Sequence, residues 1–321
     1  MNCEHGADLW TNNNVYVKNN IIAMKAVKYK DDIFVITPRL KHGVLAGVWL
    51  IVQANNDVEL QPFPELRSFK IADCEAVQNA VDIHLDRFGN LWVLDSGIIE
   101  TLSSPRCTCP PKIVCISTLL RKLTKHIDLS TLTESTSQLQ NIVVEYAFGG
   151  KPFIYVSDAS RGAILVYDVA KSSGWHVVAC PASPGLQLAL IKRGPAHSVL
   201  VLVRLHWPGI LELDTSVLKR KNAHTTLRVF DEHSQPVALL GFDSHHVYVR
   251  HIDCSDVLSW ETRESFNMSR LTDIHSAGPR LVTTSVAADH SKRKLLILDS
   301  NYGDAIHGNI PAYQRITFVS Q

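Results

Sequence analysis

Apolar residues in this chain fall in short runs broken by glycine, proline, aspartate and asparagine, and no long stretch repeats at the helical period. The clearest unit is Asp86 to Gly97, DRFGNLWVLDSG: a turn, the apolar run Leu91 to Leu94, and an Asp-Ser-Gly stop. Gly89 supplies a permissive turn backbone, and Asp95 is placed to bond the amides that follow it. Val81 to Leu85, just before it, alternates apolar and polar residues like a half-buried strand. Weaker copies of the unit occur at Ile33–Ile36 with Val44–Val52, Phe153–Ala170, Ser198–Ser216, His245–Thr262 and Arg293–Gly303, the last followed by a strand over Tyr313–Val319.

Aligned on their first strand residues, Ile33, Leu91, Ile154, Leu200, Val247 and Leu295, the units step by 58, 63, 46, 47 and 48 residues. That spacing predicts an all-β, six-bladed β-propeller. A pair of β-sandwiches is the alternative, and it gives no reason for six similar units. The expected division is a leader or closing segment over 1–25 and a single propeller domain over 26–321. Leu60–Arg67 is Pro-rich and reads as a loop. Ser117–Gln140 is polar and reads as a loop or a short helix.

Composition narrows the class. Hydrophobic residues make up 45% of the chain, enough for a sizeable core. Lys and Arg number 32 against 31 Asp and Glu, with no basic stripe, so nucleic acid and acidic membrane surfaces are not expected partners. The longest apolar runs are strand-sized, far below the roughly 20 residues of a membrane helix. The opening MNCEHGADLWTNNN has neither the basic nor the apolar region of a secretory signal.

Candidate chemistry is sparse. Asp95, Asp158, Asp168, Asp214 and Asp299 each follow a strand, and read either as ligand carboxylates or as Asx-turn formers that end strands. His245, His246 and His251 do not form a metal frame, since adjacent strand residues point to opposite faces. Patterns for nucleotide binding, nucleophile elbows and structural zinc are absent, so no cofactor and no metal is expected and catalytic residues stay unnamed. Cys107-Thr-Cys109 is not a paired metal motif. No spacing rule pairs Cys3, Cys107, Cys115, Cys180 or Cys254. Asn267-Met268-Ser269 is a glycosylation acceptor tripeptide. A small-molecule site is expected at a propeller's channel mouth, where blade loops converge.

Several motifs together carry a family resemblance. Pro38-Arg39 with Gly43-Val44, Leu60 with Pro62-Phe63-Pro64, Cys74, Asp86, Leu91 to Gly97, Cys109-Pro110-Pro111, Tyr155 to Asp158, Leu165 to Asp168, Ser259-Trp260 and Ser300-Asn301 occur in that order. The series resembles the Yellow / major royal jelly protein family of insects, although Leu40, Leu45 and Leu66 replace family Trp, Pro and Trp. The resemblance implies a secreted six-bladed propeller with a disulfide between Cys74 and Cys109, for which Cys107 is a competing partner to Cys74. It also implies a role in cuticle pigmentation or melanin chemistry, with a pocket for a catechol or indole amine. Asn301, flanked by Ser300 and Tyr302, matches an asparagine of that pocket; Gly303 stands where those members carry an aromatic residue. Dopachrome-converting isomerase is the enzymatic alternative, and a metal-dependent lactonase is a more distant one. Protein partners are not implied.

Overall fold

The structure is a computed structural model that describes residues 16–54, 57–147, 149–194, 197–222, 227–230, 235–289, 293–307 and 310–320. It is built from successive antiparallel sheets, the architecture of a six-bladed β-propeller. Blade 1 holds β1 (Lys25–Tyr29), β2 (Asp32–Ile36), β3 (Val48–Ala54) and β4 (Asp57–Pro62). Blade 2 begins with β5 (Ala80–Leu85) and β6 (Asn90–Asp95). A two-stranded excursion, β7 (Ile98–Ile99) with β8 (Arg106–Cys107), precedes its third and fourth strands β9 (Lys112–Ser117) and β10 (Lys122–Asp128). Blade 3 is β11 (Leu139–Tyr146), β12 (Pro152–Asp158), β13 (Ala163–Asp168) and β14 (Ser173–Val178).

Blade 4 is β15 (Leu186–Gly194), β16 (His197–Arg204), β17 (Ile210–Asp214) and β18 (Arg228–Phe230), with a single helical turn α1 (Thr215–Leu218) before the last. Blade 5 is β19 (Val237–Phe242), β20 (His246–His251), β21 (Asp256–Glu261) and β22 (Thr272–Ser276). Among the described residues, blade 6 has three sheet strands, β23 (Val282–Asp289), β24 (Lys294–Ser300) and β25 (Gln314–Ser320), with α2 (Tyr302–His307) between the last two.

The chain forms two compact units: residues 1–135 with 279–321, holding blades 6, 1 and 2, and residues 136–278, holding blades 3, 4 and 5. Within the first, β1 lies beside β5 and β23; within the second, β15 lies beside β11 and β19. Each unit has its own apolar interior. In the first, Phe34 and Phe63 pack with ring centroids 4.7 Å apart among Val48, Ile83 and Leu91. In the second, Leu186, Leu200 and Leu213 pack against Tyr155 and Ile164.

Burial explains why some strands are plain in the sequence and others are not. The middle strands are covered on both faces, so β9 is buried at every position and reads as a continuous apolar run. Outer strands alternate or are largely exposed. The region Ser117–Gln140, expected as a loop or short helix, contains β10, most of whose residues face solvent. A wet outer strand selects polar residues, and its hydrophobic signal is lost. Similarly, Leu60–Pro62, expected in a loop, ends β4; the edge position tolerates a proline that cannot donate.

A brace recurs between the first and second strands of three blades. An aromatic on the second strand donates to an acid that follows or ends the first: Trp92 Nε1 to Asp86 at 2.9 Å, Tyr155 to Glu145 at 2.7 Å, and Tyr248 to Asp243 at 2.7 Å. Each buries a ring while satisfying its polar end. Burial, and then the Glu145 carboxylate, raise the Tyr155 phenol far above its ordinary range.

Candidate functional site

The repeated aspartate that ends the second strand of a blade organises the polar structure. In blade 2 the wholly buried Asp95 accepts the amides of Asn79 (2.8 Å) and Gly97 (2.9 Å) on Oδ1 and the amide of Gln78 (2.7 Å) on Oδ2. The Lys112 ammonium, 2% exposed, lies 2.9 Å from Oδ2. Around this pair the side chains of Gln78 and Asn79 bind surrounding backbone, and Asn79 Oδ1 accepts the amide of Arg39. The Arg39 guanidinium is buried and spends all its donors on carbonyls of Val44, Leu45, Phe69, Val77 and Gln78. Burial lowers its pKa to about 10, against the pull of Asp95. Five carbonyls from three stretches of chain converge on one side chain. Arg39 is therefore a structural hub, and nothing in its sequence neighbourhood announces that.

Blade 3 repeats the corner. Asp158 Oδ1 accepts the amide of Gln138 and the hydroxyl of Ser160, each at 2.9 Å. Gly97 and Gly162 hold positive φ and play the same part: the carbonyl of Gly97 accepts the amides of Thr108 and Cys109, and that of Gly162 the amides of Ala179 and Cys180. A Cβ on either glycine would lie 1.9 Å from a carbonyl oxygen, of Cys109 or Cys180 respectively. Cys180-Pro181 is thus the blade 3 counterpart of Cys109-Pro110, a relation the sequence conceals because the turns differ in length. In blade 6 the corner aspartate is Asp299, bonded to Thr283 Oγ1 at 2.7 Å and Arg315 at 2.8 Å.

Among the other repeated acids, Asp168 accepts the amides of Ala170 and Lys171, and Asp214 caps α1 through the amide of Ser216. The Asx-turn reading describes Asp95, Asp168 and Asp214, which bond amides that follow them, while Asp158 and Asp299 bond groups of neighbouring segments and the Ser160 hydroxyl. His246 lies 3.4 Å from Asp243 as part of a turn, and no cluster of metal-ligating residues occurs among the described residues.

Cys74 and Cys109 are joined in a disulfide, so Cys107 is not the partner of Cys74; it too is disulfide-bonded. Cys115 and Cys180 are buried free thiols and Cys254 is an exposed one, while Cys3 and most of the 1–25 leader lie outside the described residues. Burial raises the Cys115 thiol to about 11, which removes it as a nucleophile near neutral pH. Asn267 is exposed on a turn, its carboxamide oxygen accepting the amide and hydroxyl of Ser269.

Ser300, Asn301 and Tyr302 sit where β24 passes into α2. The Asn301 side chain ties the return segment: it donates to the carbonyl of Pro311 at 2.9 Å and accepts the amide of Tyr313 at 2.8 Å. The Tyr302 amide donates to Ser300 Oγ, and burial raises the phenol's pKa. Gly303 has open space at its Cβ position. The three residues are neighbours, and the carboxamide of Asn301 is engaged by backbone.

The fold and these corners define a propeller-class protein. Across solved structures, a luciferin-regenerating enzyme matches with a TM-score of 0.56 at 11% identity, over 94% of each chain, a likeness of fold alone. Residues 78–184, which contain the Asp95 and Asp158 corners, match the family model described as Major royal jelly protein. Over 172 residues the chain is 27% identical to dopaminechrome tautomerase of Drosophila melanogaster, covering 51% of this chain and 37% of that protein. It is 28% identical over 154 residues to major royal jelly protein 7 of Apis mellifera, covering 46% of this chain and 34% of that protein. The matched stretches span about a third of these relatives' own length. The resemblance read from the motifs is borne out: this chain is related to the Yellow and major royal jelly proteins.

Proposed function

We propose that this protein is a secreted Yellow-like propeller that acts on, or binds, a small catechol- or indole-derived molecule of melanin-pathway chemistry in cuticle pigmentation. The observation that carries this is the 27% identity to a dopaminechrome tautomerase over 172 residues, beside the family-model match over the stretch that builds the blade 2 and blade 3 corners. The Cys74–Cys109 disulfide supports an extracellular setting, since such bonds persist in oxidising compartments. An aminochrome tautomerisation removes a proton from a ring carbon to a base and returns one to a quinone oxygen, with no net redox change, so a fold without an expected cofactor is adequate for it.

The test is direct. Purified protein is mixed with dopachrome or dopaminechrome and loss of the coloured species is followed against a heat-denatured control. A rate above the control supports the enzymatic form of the reading. Binding without turnover is the second form, favoured because the buried acids of blades 2 and 6 are fully engaged and the Asn301 carboxamide is spent on backbone. Calorimetry with catechols and indole amines would then give saturable heat. Neither turnover nor heat with any of these would remove the proposal.

A further inference from the structure

Asn267-Met268-Ser269 takes no part in the buried corners or in the ligand chemistry proposed above. No other asparagine in the sequence has a Ser or Thr two positions on. The tripeptide lies in the connection from β21 to β22 of blade 5, and the residues just before it are anchored. Phe266, 5% exposed, meets the Trp260 ring edge-on with centroids 5.1 Å apart, and Trp260 Nε1 donates to the carbonyl of Glu264 at 3.1 Å. Immediately after that anchor, Asn267 and Ser269 are both exposed.

The two ends of the Asn267 carboxamide are used differently. Its oxygen accepts the Ser269 amide at 2.9 Å and the Ser269 hydroxyl at 2.7 Å. Its nitrogen donates to no group among the described residues. Other asparagines of the fold are tied by that atom: Asn79 Nδ2 donates to the carbonyl of Ile98, and Asn301 Nδ2 to that of Pro311. A bulky polar group joined to Asn267 Nδ2 therefore breaks no bond of the fold and displaces no buried neighbour.

We infer that Asn267 is an N-glycosylation site, its Nδ2 carrying an oligosaccharide at the entry to β22, the outer strand of blade 5. The inference rests on the extracellular reading of the proposed function, because the donor is met on the secretory route. That donor is a lipid-pyrophosphate-linked oligosaccharide. A bond forms between Nδ2 and the anomeric carbon of the first sugar as the bond from that carbon to the pyrophosphate oxygen breaks. The carboxamide gives up one proton to a base, the lipid pyrophosphate leaves with the electron pair, and nothing is oxidised or reduced.

The test uses the full chain, directed into the secretory pathway of mammalian cells by a cleavable signal peptide and carrying a second acceptor, Asn-Gly-Thr, on a C-terminal tail. The tail reports that the chain met the donor. Digestion with peptide-N-glycosidase F should increase gel mobility and leave the mass of an aspartate at position 267. Asn267→Gln and Ser269→Ala should each carry one glycan fewer than wild type, and Ser269→Thr, which keeps the hydroxyl, should carry the same number.

A glycosylated tail beside an unmodified Asn267 would overturn the inference, as would a glycan number unchanged in Asn267→Gln. Because attachment is read on the denatured, digested protein, a variant that folds poorly still gives an answer. The extracellular reading fails by a different observation, retention in the cytosol when the chain is expressed from its own gene, whereas the signal peptide delivers the chain in either case.

Discussion

Asp95 and Lys112 stand in register on neighbouring strands, 2.9 Å apart and almost wholly removed from solvent. The pair is held by three backbone amides on the acid, so the charge is matched before the ammonium arrives. Removing one partner of a buried pair costs far more than the pair itself contributes. Lys112→Met should therefore destabilise the protein by about 3–5 kcal/mol, as read by chemical denaturation. The double variant Asp95→Asn with Lys112→Met should recover part of that loss, and a double variant worse than the sum of the singles would contradict this account of the corner.

The Cys74–Cys109 bond closes a loop across a separation of 35 residues. In the chain-entropy view this restricts the unfolded state by ~3–4 kcal/mol. Cys74→Ala should lower stability by that order under non-reducing conditions. Under strong reductant the wild type and the variant should converge, and a persistent gap would assign the effect to packing instead.

Gly97 and Gly162 make the same close approach in different blades. At either position alanine would need both a positive φ and a carbonyl oxygen 1.9 Å from its Cβ. Each substitution should cost more than about 1 kcal/mol, and the two costs should be similar because the geometry is repeated. Gly303→Ala, with nothing within 4 Å of its Cβ, serves as the benign comparison. Melting curves of the three variants decide it.

His84 offers a pH dependence. Burial, and then Lys25, push its imidazole down to about 4, while Asp86 and Asp82 pull the other way. The folded state thus binds fewer protons than the unfolded state between about pH 4 and the ordinary histidine value near 6.5. Stability should fall as pH drops through that window and level off below it. His84→Gln should flatten this part of the profile. A profile unchanged by the substitution would place the slope on another group.

Asn301 separates a tie from a ligand contact. Asn301→Ala loses a donor to Pro311 and an acceptor for Tyr313, and should cost roughly 1–2 kcal/mol. If the carboxamide is only a tie, the variant's affinity for any catechol or indole ligand found by calorimetry should match wild type at a temperature where both are folded.

Much of the architecture is legible in the chain itself. Middle strands such as β6 and β9 are buried on both faces, so their positions must be apolar, and repetition of that demand at blade spacing names the fold. The turn at Asp86 to Gly89 is equally local, because an aspartate needs only the amides within a few residues to close it. The disulfide and the family were readable from motif order.

What the sequence could not carry is contact between distant stretches. β10 was hidden because an outer strand answers to water rather than to a core. Arg39 gathers carbonyls from as far as Gln78, and no local pattern encodes such convergence. The likeness of Cys180 to Cys109, and the alanine that faces Asp158 where a lysine faces Asp95, appear only when two blades are set in register. Local propensity and burial periodicity determine which segments are strands. Which side chain faces which, and therefore which carboxylate meets a cation, is decided by pairing across the sheet.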